Sequence, residues 1–86
     1  MQVIRLYMAG KSPVWMNAFD RLQKYLVAGQ GPRLSFETID VLDEPRAAIR
    51  DQVFATPTIV RAFPPEARLI GNIQDTARVA RALGLT

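Results

Sequence analysis

The sequence predicts an α/β fold, one domain over residues 1–86, with the order β-α-β-α-β-β-α on a four-stranded mixed sheet. Three observations predict it. Short apolar runs containing β-branched residues alternate with segments of helical period. Proline and glycine fall at the boundaries between them. The 86 residues, 49% of them hydrophobic, suffice for one modest core and no second one.

Val3-Ile4-Arg5-Leu6-Tyr7-Met8 reads as the first strand, apolar enough to be central and buried on both faces. Ala9-Gly10 ends it. Ser12-Pro13 then reads as an N-cap with Pro at the first helical position. Val14, Trp15, Ala18, Phe19, Leu22, Tyr25 and Leu26 follow the 3.6-residue period, with Asp20, Arg21, Gln23 and Lys24 largely between them. The expected helix is amphipathic, and Gly29, Gly31 and Pro32 stop it. Leu34 to Val41 carries the second strand, with Phe36, Ile39 and Val41 as buried contributors. A right-handed crossover joins the two strands. Asp43-Glu44-Pro45 opens a short helix through about Gln52, with Ala47, Ala48 and Ile49 as its packing face. Its length makes it dependent on tertiary contacts.

Thr58 to Ala62 is strand-like, Pro64-Pro65-Glu66 makes a turn, and Ala67 to Gly71 returns as the second arm of a hairpin. Asn72 is expected to cap the last helix, with Asp75 three residues on in an approximate capping box. Ile73, Ala77, Ala80 and Leu83 form its expected buried stripe, and Gly84 suits the position just past its end.

Composition removes several function classes. The chain has no Cys and no His, so disulfide frameworks, thiol catalysis, cysteine metal sites and histidine general-base chemistry fall away. No catalytic residue, metal ligand set or cofactor is expected. Asp40, Asp43 and Glu44 form a carboxylate group better explained by capping and solvent exposure than by a metal site. The net charge is +3, yet the eleven cations are spread along the chain without a basic block or interleaved aromatic cluster. A nucleic-acid partner is therefore not expected. No apolar run reaches the ~20 residues that span a bilayer. Met1 to Arg5 lacks the basic opening of a secretory signal, and a cytoplasmic location is the expectation.

Ala55-Thr56-Pro57-Thr58-Ile59-Val60, a Thr-Pro-Thr step opening an apolar β-branched run, resembles the cis-proline corner of the thioredoxin-like fold. The resemblance implies a cis Thr56–Pro57 bond with a structural role for Pro57. Redox members place a thiol site opposite that corner. Here the corresponding Gly10-Lys11-Ser12-Pro13 holds no thiol, which points to binding rather than catalysis.

A more specific resemblance follows. Leu6-Tyr7-Met8-Ala9-Gly10, Ile39-Asp40-Val41-Leu42, Ala55-Thr56-Pro57-Thr58, and Pro64-Pro65 followed by Leu69-Ile70-Gly71-Asn72 are similar, in order and spacing, to the KaiB family. That resemblance implies a noncatalytic circadian-clock protein that binds the hexameric ATPase KaiC and can recruit KaiA. A related domain serves as the sensor of a KaiC-binding histidine kinase. Partner contact is expected on the second helix and the C-terminal hairpin, at Arg50, Gln52, Arg61 and Arg68, with Pro57, Tyr7 and Gly71 structural. Tyr7 is read as core. Trp15 fits either an exposed anchor or the core, with helix spacing favouring the core.

Members of that family also occupy a tetrameric fold with a rearranged C-terminal half. Thr76 to Leu83 is rich in helix formers, and Ala80, Ala82 and Gly84 are poor strand residues. A mainly monomeric, thioredoxin-like state is expected, with the tetramer belonging to the alternative fold. The rival functional reading is a glutathione-binding or degenerate glutathione-transferase-like domain, with Ser12 supplying a hydroxyl and Thr56 a backbone contact. An N-cap role accounts for Ser12 without it.

Overall fold

A computed structural model describes residues 2–30, 33–62 and 65–85. The elements are β1 (Gln2–Met8), α1 (Pro13–Gln30), β2 (Leu34–Asp40), α2 (Pro45–Arg50), β3 (Thr58–Arg61), β4 (Ala67–Ile70) and α3 (Thr76–Ala82). The sheet order is β2-β1-β3-β4. β1 runs parallel to β2 and antiparallel to β3, and β3 is antiparallel to β4. This is the thioredoxin-like arrangement expected from the sequence, with a cis peptide between Thr56 and Pro57.

Strand alternation divides the core into two layers. Ile4, Leu6 and Met8 of β1 and Ile59 of β3 join Ala18, Phe19, Leu22 and Leu26 of α1 and Val79, Ala80 and Leu83 near the C-terminus. Phe19 meets Phe36 edge to face, with ring centroids 6.0 Å apart. Tyr7, Ile39, Ala47 and Val60 form the smaller cluster on the other face, under α2.

Three details of the expected helices are corrected. Val14 and Tyr25 are exposed. Each precedes a core-facing residue, Trp15 or Leu26, and one residue rotates a helix by about 100°. Their eleven-residue separation keeps both on the same flank, beside the buried stripe. In α2, which stops at Arg50, Ala47 packs inward and Ile49 is 78% exposed. A helix of fewer than two turns offers the sheet little more than one contact position. At α3, Asp75 rather than Asn72 is the N-cap, its Oδ1 accepting from Arg78 N at 3.1 Å. Asn72 Oδ1 instead accepts from Gln74 N at 2.8 Å, closing a local turn. That turn lets Ile73 enter the core before the helix begins. Val79 replaces Ala77 in the fully buried stripe.

The end of α3 follows the expectation. Gly84 has φ +69°, and Leu85 N bonds to Ala80 O at 2.8 Å. A left-handed residue past the last turn lets the chain satisfy those carbonyls. Gly31, Pro32 and Pro64, assigned above to a helix stop and a turn, lie outside the described residues.

Candidate functional site

Tyr7 sits in the central strand with its side chain on the α2 face of the sheet. Burial brings its hydroxyl to one acceptor: it donates to Asp51 Oδ2 at 2.7 Å. Asp51 follows α2 directly and is the helix's C-cap. Its carboxylate also receives Arg50 Nε at 2.9 Å on Oδ1 and Arg50 Nη2 at 2.9 Å on Oδ2. A fork of this kind is geometrically specific and charge-assisted. Arg50 and, secondarily, Tyr7 hold the Asp51 carboxyl at about 2, below the usual carboxylate range. Burial, and then the Asp51 carboxylate, push the Tyr7 phenol up from its ordinary value. Both groups therefore keep their charge states at neutral pH.

Arg68 closes the cluster from β4. Val60 pairs with Arg68 in the hairpin, so the two share the α2 face. Arg68 Nη1 donates to Gln52 O at 3.0 Å and Nη2 to Asp51 O at 3.1 Å. Glu66 Oε2 accepts from Arg68 Nε at 3.2 Å and Nη2 at 2.9 Å. The guanidinium thus ties the turn after α2 to the sheet. Gln52 lies in that turn with φ +57°, a conformation uncommon outside glycine. Arg5, also on this face, pairs with Glu37 at 2.8 Å.

The four expected contact residues do not form one group. Arg50, Gln52 and Arg68 converge on Asp51. Arg61 pairs with Ile4 in the sheet and so faces α1 and α3. It donates through Nη2 to Pro65 O at 2.9 Å, and its guanidinium lies where a Cβ on Gly84 would touch it. Asp51 was not singled out by sequence. Its only signal was an acid beside Arg50 at a helix end, and the decisive partner, Tyr7, is 44 residues away.

The remaining positions have local explanations. Pro57 is buried, and its carbonyl accepts from Gly71 N at 2.9 Å. Gly71 has φ +108°, which favours glycine where β4 ends. Ser12 Oγ faces Trp15 N at 3.5 Å, consistent with a weak N-cap. Trp15 is half-buried against the larger core. Asp40 Oδ1 accepts from Gly10 N at 2.8 Å and Leu42 N at 3.0 Å, which makes it a loop organiser. Among the described residues no group of three acids could hold a metal ion. No described helix is long and apolar enough to cross a membrane.

Chemically, the Tyr7–Asp51–Arg50–Arg68 cluster is a set of satisfied donors and acceptors around a carboxylate. It pairs no nucleophile with a base. What it offers outward is a fixed charged surface. On the same side of the sheet, large apolar side chains stay in water: Ile49 on α2, Phe54 in the α2–β3 connection and Ile70 on β4.

Comparison with known proteins places this geometry. The fold matches the N-terminal domain of Synechococcus elongatus SasA with a TM-score of 0.69 at 23% identity, covering 93% of this chain and 76% of that one. It matches Fasciola hepatica thioredoxin with a TM-score of 0.70 at 20% identity, covering 96% and 78%. In sequence, a circadian clock oscillator protein KaiB of Prochlorococcus marinus is 36% identical over 84 residues, 96% of this chain and 72% of the relative. The protein of the same name from a Synechococcus strain is also 36% identical, over 96% of this chain and 76% of its own length. The KaiB domain profile matches residues 5–85, which takes in most of β1 and every later element, and the chain belongs to the KaiB family.

Proposed function

We propose that this chain is a noncatalytic clock protein that binds a KaiC-type hexameric ATPase through the α2 side of its sheet, with KaiA or a histidine kinase system as further partners. One observation carries the reading. The α2 face is covered by a single six-residue helix, which leaves Ile49, Phe54 and Ile70 exposed beside a charged cluster that is already internally organised. Exposed apolar side chains with a polar rim are the signature of a protein-binding surface. The family's clock-protein relatives give that surface its context.

Arg50 supports the electrostatic part. Its side chain is 67% exposed. Its bonds to Asp51 use Nε and Nη2, so Nη1 stays available to an incoming carboxylate. Arg68 spends all three of its nitrogens internally. Arg50 is thus the recognition cation and Arg68 a brace.

The test is a titration with the KaiC-type ATPase of the same genome. Arg50→Glu weakens binding tenfold or more, while Arg61→Glu, on the other face, leaves it within about twofold. Raising salt weakens the wild-type complex mainly through slower association. Absence of binding at tens of micromolar ATPase refutes the reading. An insulin-reduction assay and a glutathione titration by NMR serve as the opposing tests. Turnover or saturable shifts at Ser12 and Thr56 would favour the glutathione reading.

A further inference from the structure

We propose that Phe54 is the anchor of this surface, entering an apolar pocket on the partner whose rim carries a carboxylate that meets Arg50. The proposal rests on the reading above and names the chemistry of the site that the partner must supply.

Phe54 is 91% exposed, more than any other large apolar side chain among the described residues. Its neighbour Val53 packs against the smaller core, so the chain had an apolar site to fill here and filled it with the residue before. A solvent-facing phenylalanine forgoes the stabilisation that burying a large apolar side chain brings. A partner pocket would restore it.

The backbone around Phe54 is fixed from both sides. Before it, the carbonyls of Asp51 and Gln52 receive Arg68, and Val53 N bonds to Ala48 O at 2.9 Å. After it, Ala55 O accepts from Thr58 Oγ1 at 2.6 Å. An aromatic ring on such a backbone has few torsions left to order on binding. That lowers the entropic cost of association and suits an anchor residue.

Charge selects the kind of pocket. Two carboxylates of the face are engaged: Asp51 by Arg50 and Tyr7, and Glu66 by Arg68. The free valence close to Phe54 in the chain is the Arg50 guanidinium, four residues earlier. A pocket ringed by carboxylates satisfies both groups at once. One ringed by cations would oppose Arg50.

The experiment measures Phe54→Ala and Phe54→Trp alongside wild type for ATPase affinity, thermal unfolding and sedimentation. Phe54→Ala is expected to raise Kd at least tenfold with an unchanged melting profile, because the ring contributes little to the folded core. Phe54→Trp is expected to retain most of the affinity. Arg50→Met is expected to lower affinity several-fold and flatten its salt dependence. If wild type binds and Phe54→Ala binds within twofold of it, the anchor is refuted and the proposed function stands. If wild type does not bind, the proposed function fails, and this partner with it. If Phe54→Ala instead abolishes self-association and leaves ATPase binding intact, the pocket belongs to a second copy of the chain and the proposal is overturned.

Discussion

On the α1/α3 side of the sheet, Ile4, Leu6 and Ile59 meet Leu22, Leu26, Val79 and Leu83 in a continuous apolar layer. On the α2 side, Tyr7 and Val60 meet Ala47 and Ile39, and the layer ends within one side chain at the Asp51 carboxylate. One face is held by volume, the other by a few directional bonds. Burial scales with area, and each large aliphatic side chain contributes about 1.5–3 kcal/mol. A hydrogen bond contributes about 1 kcal/mol net, but it fixes geometry. The thick face therefore sets whether the chain folds. The thin face sets how α2 and the turn after it are held.

The largest test of this contrast is Leu22→Ala. Leu22 is fully buried, and truncation in such a site costs about 2–5 kcal/mol. Urea denaturation should show the midpoint fall without a change in slope. A loss below about 1 kcal/mol would mean that the apolar layer is not what carries the fold.

The intermediate test is acid. Asp51 titrates at about 2 in the folded chain, below its ordinary value. A depressed carboxyl stabilises the fold above the unfolded value and loses that contribution as pH falls through the folded one. Stability should therefore decline from about pH 4 towards pH 2. Asp51→Asn should remove Asp51's share of that decline and cost about 1 kcal/mol at neutral pH. An unchanged acid profile in the variant would assign the decline to other carboxyls.

The smallest effect belongs to a helix end. Asp75→Ala removes the acceptor for Arg78 N and should cost about 1 kcal/mol, read as a shift in the thermal midpoint. The loss should leave ATPase binding untouched, because α3 packs on the opposite face. A binding defect in this variant would show that the two faces are coupled.

How much of this was legible depended on the range of the interaction. The element order was readable from the periodicity within each segment, the cis Thr56–Pro57 corner through the fold resemblance that its Thr-Pro-Thr step carries, and the Gly84 terminus from a glycine just past a helical run. Asp75 was readable as a capping residue but was placed one turn too late in the motif, because Asn72 offers the same chemistry three residues earlier. Arg61 held a usable signal. If Ile59 faces the main core, alternation puts Arg61 on that side and Arg68, opposite Val60, on the other. The Asp51 cluster was not readable, since nothing local says that a tyrosine 44 residues earlier ends beside it. Phe54 was silent for a related reason. Neither Val53 nor Phe54 was assigned a role from sequence, and only the turn's geometry decides that Val53 turns inward and Phe54 outward.

The central position of β1 has a consequence for the growing chain. β1 precedes the strands it pairs with in the chain, and it finds one neighbour early, in β2 across the α1 crossover. Its other edge waits for β3, where Leu6 meets Ile59. Until that distant segment leaves the ribosome, a strand of Val, Ile and Leu holds an open row of amides and carbonyls. Such an edge attracts other strands. The nascent chain is thus most vulnerable to aggregation between the emergence of β1 and that of β3, and a chaperone that recognises extended apolar segments would find its target there before the mature surface exists.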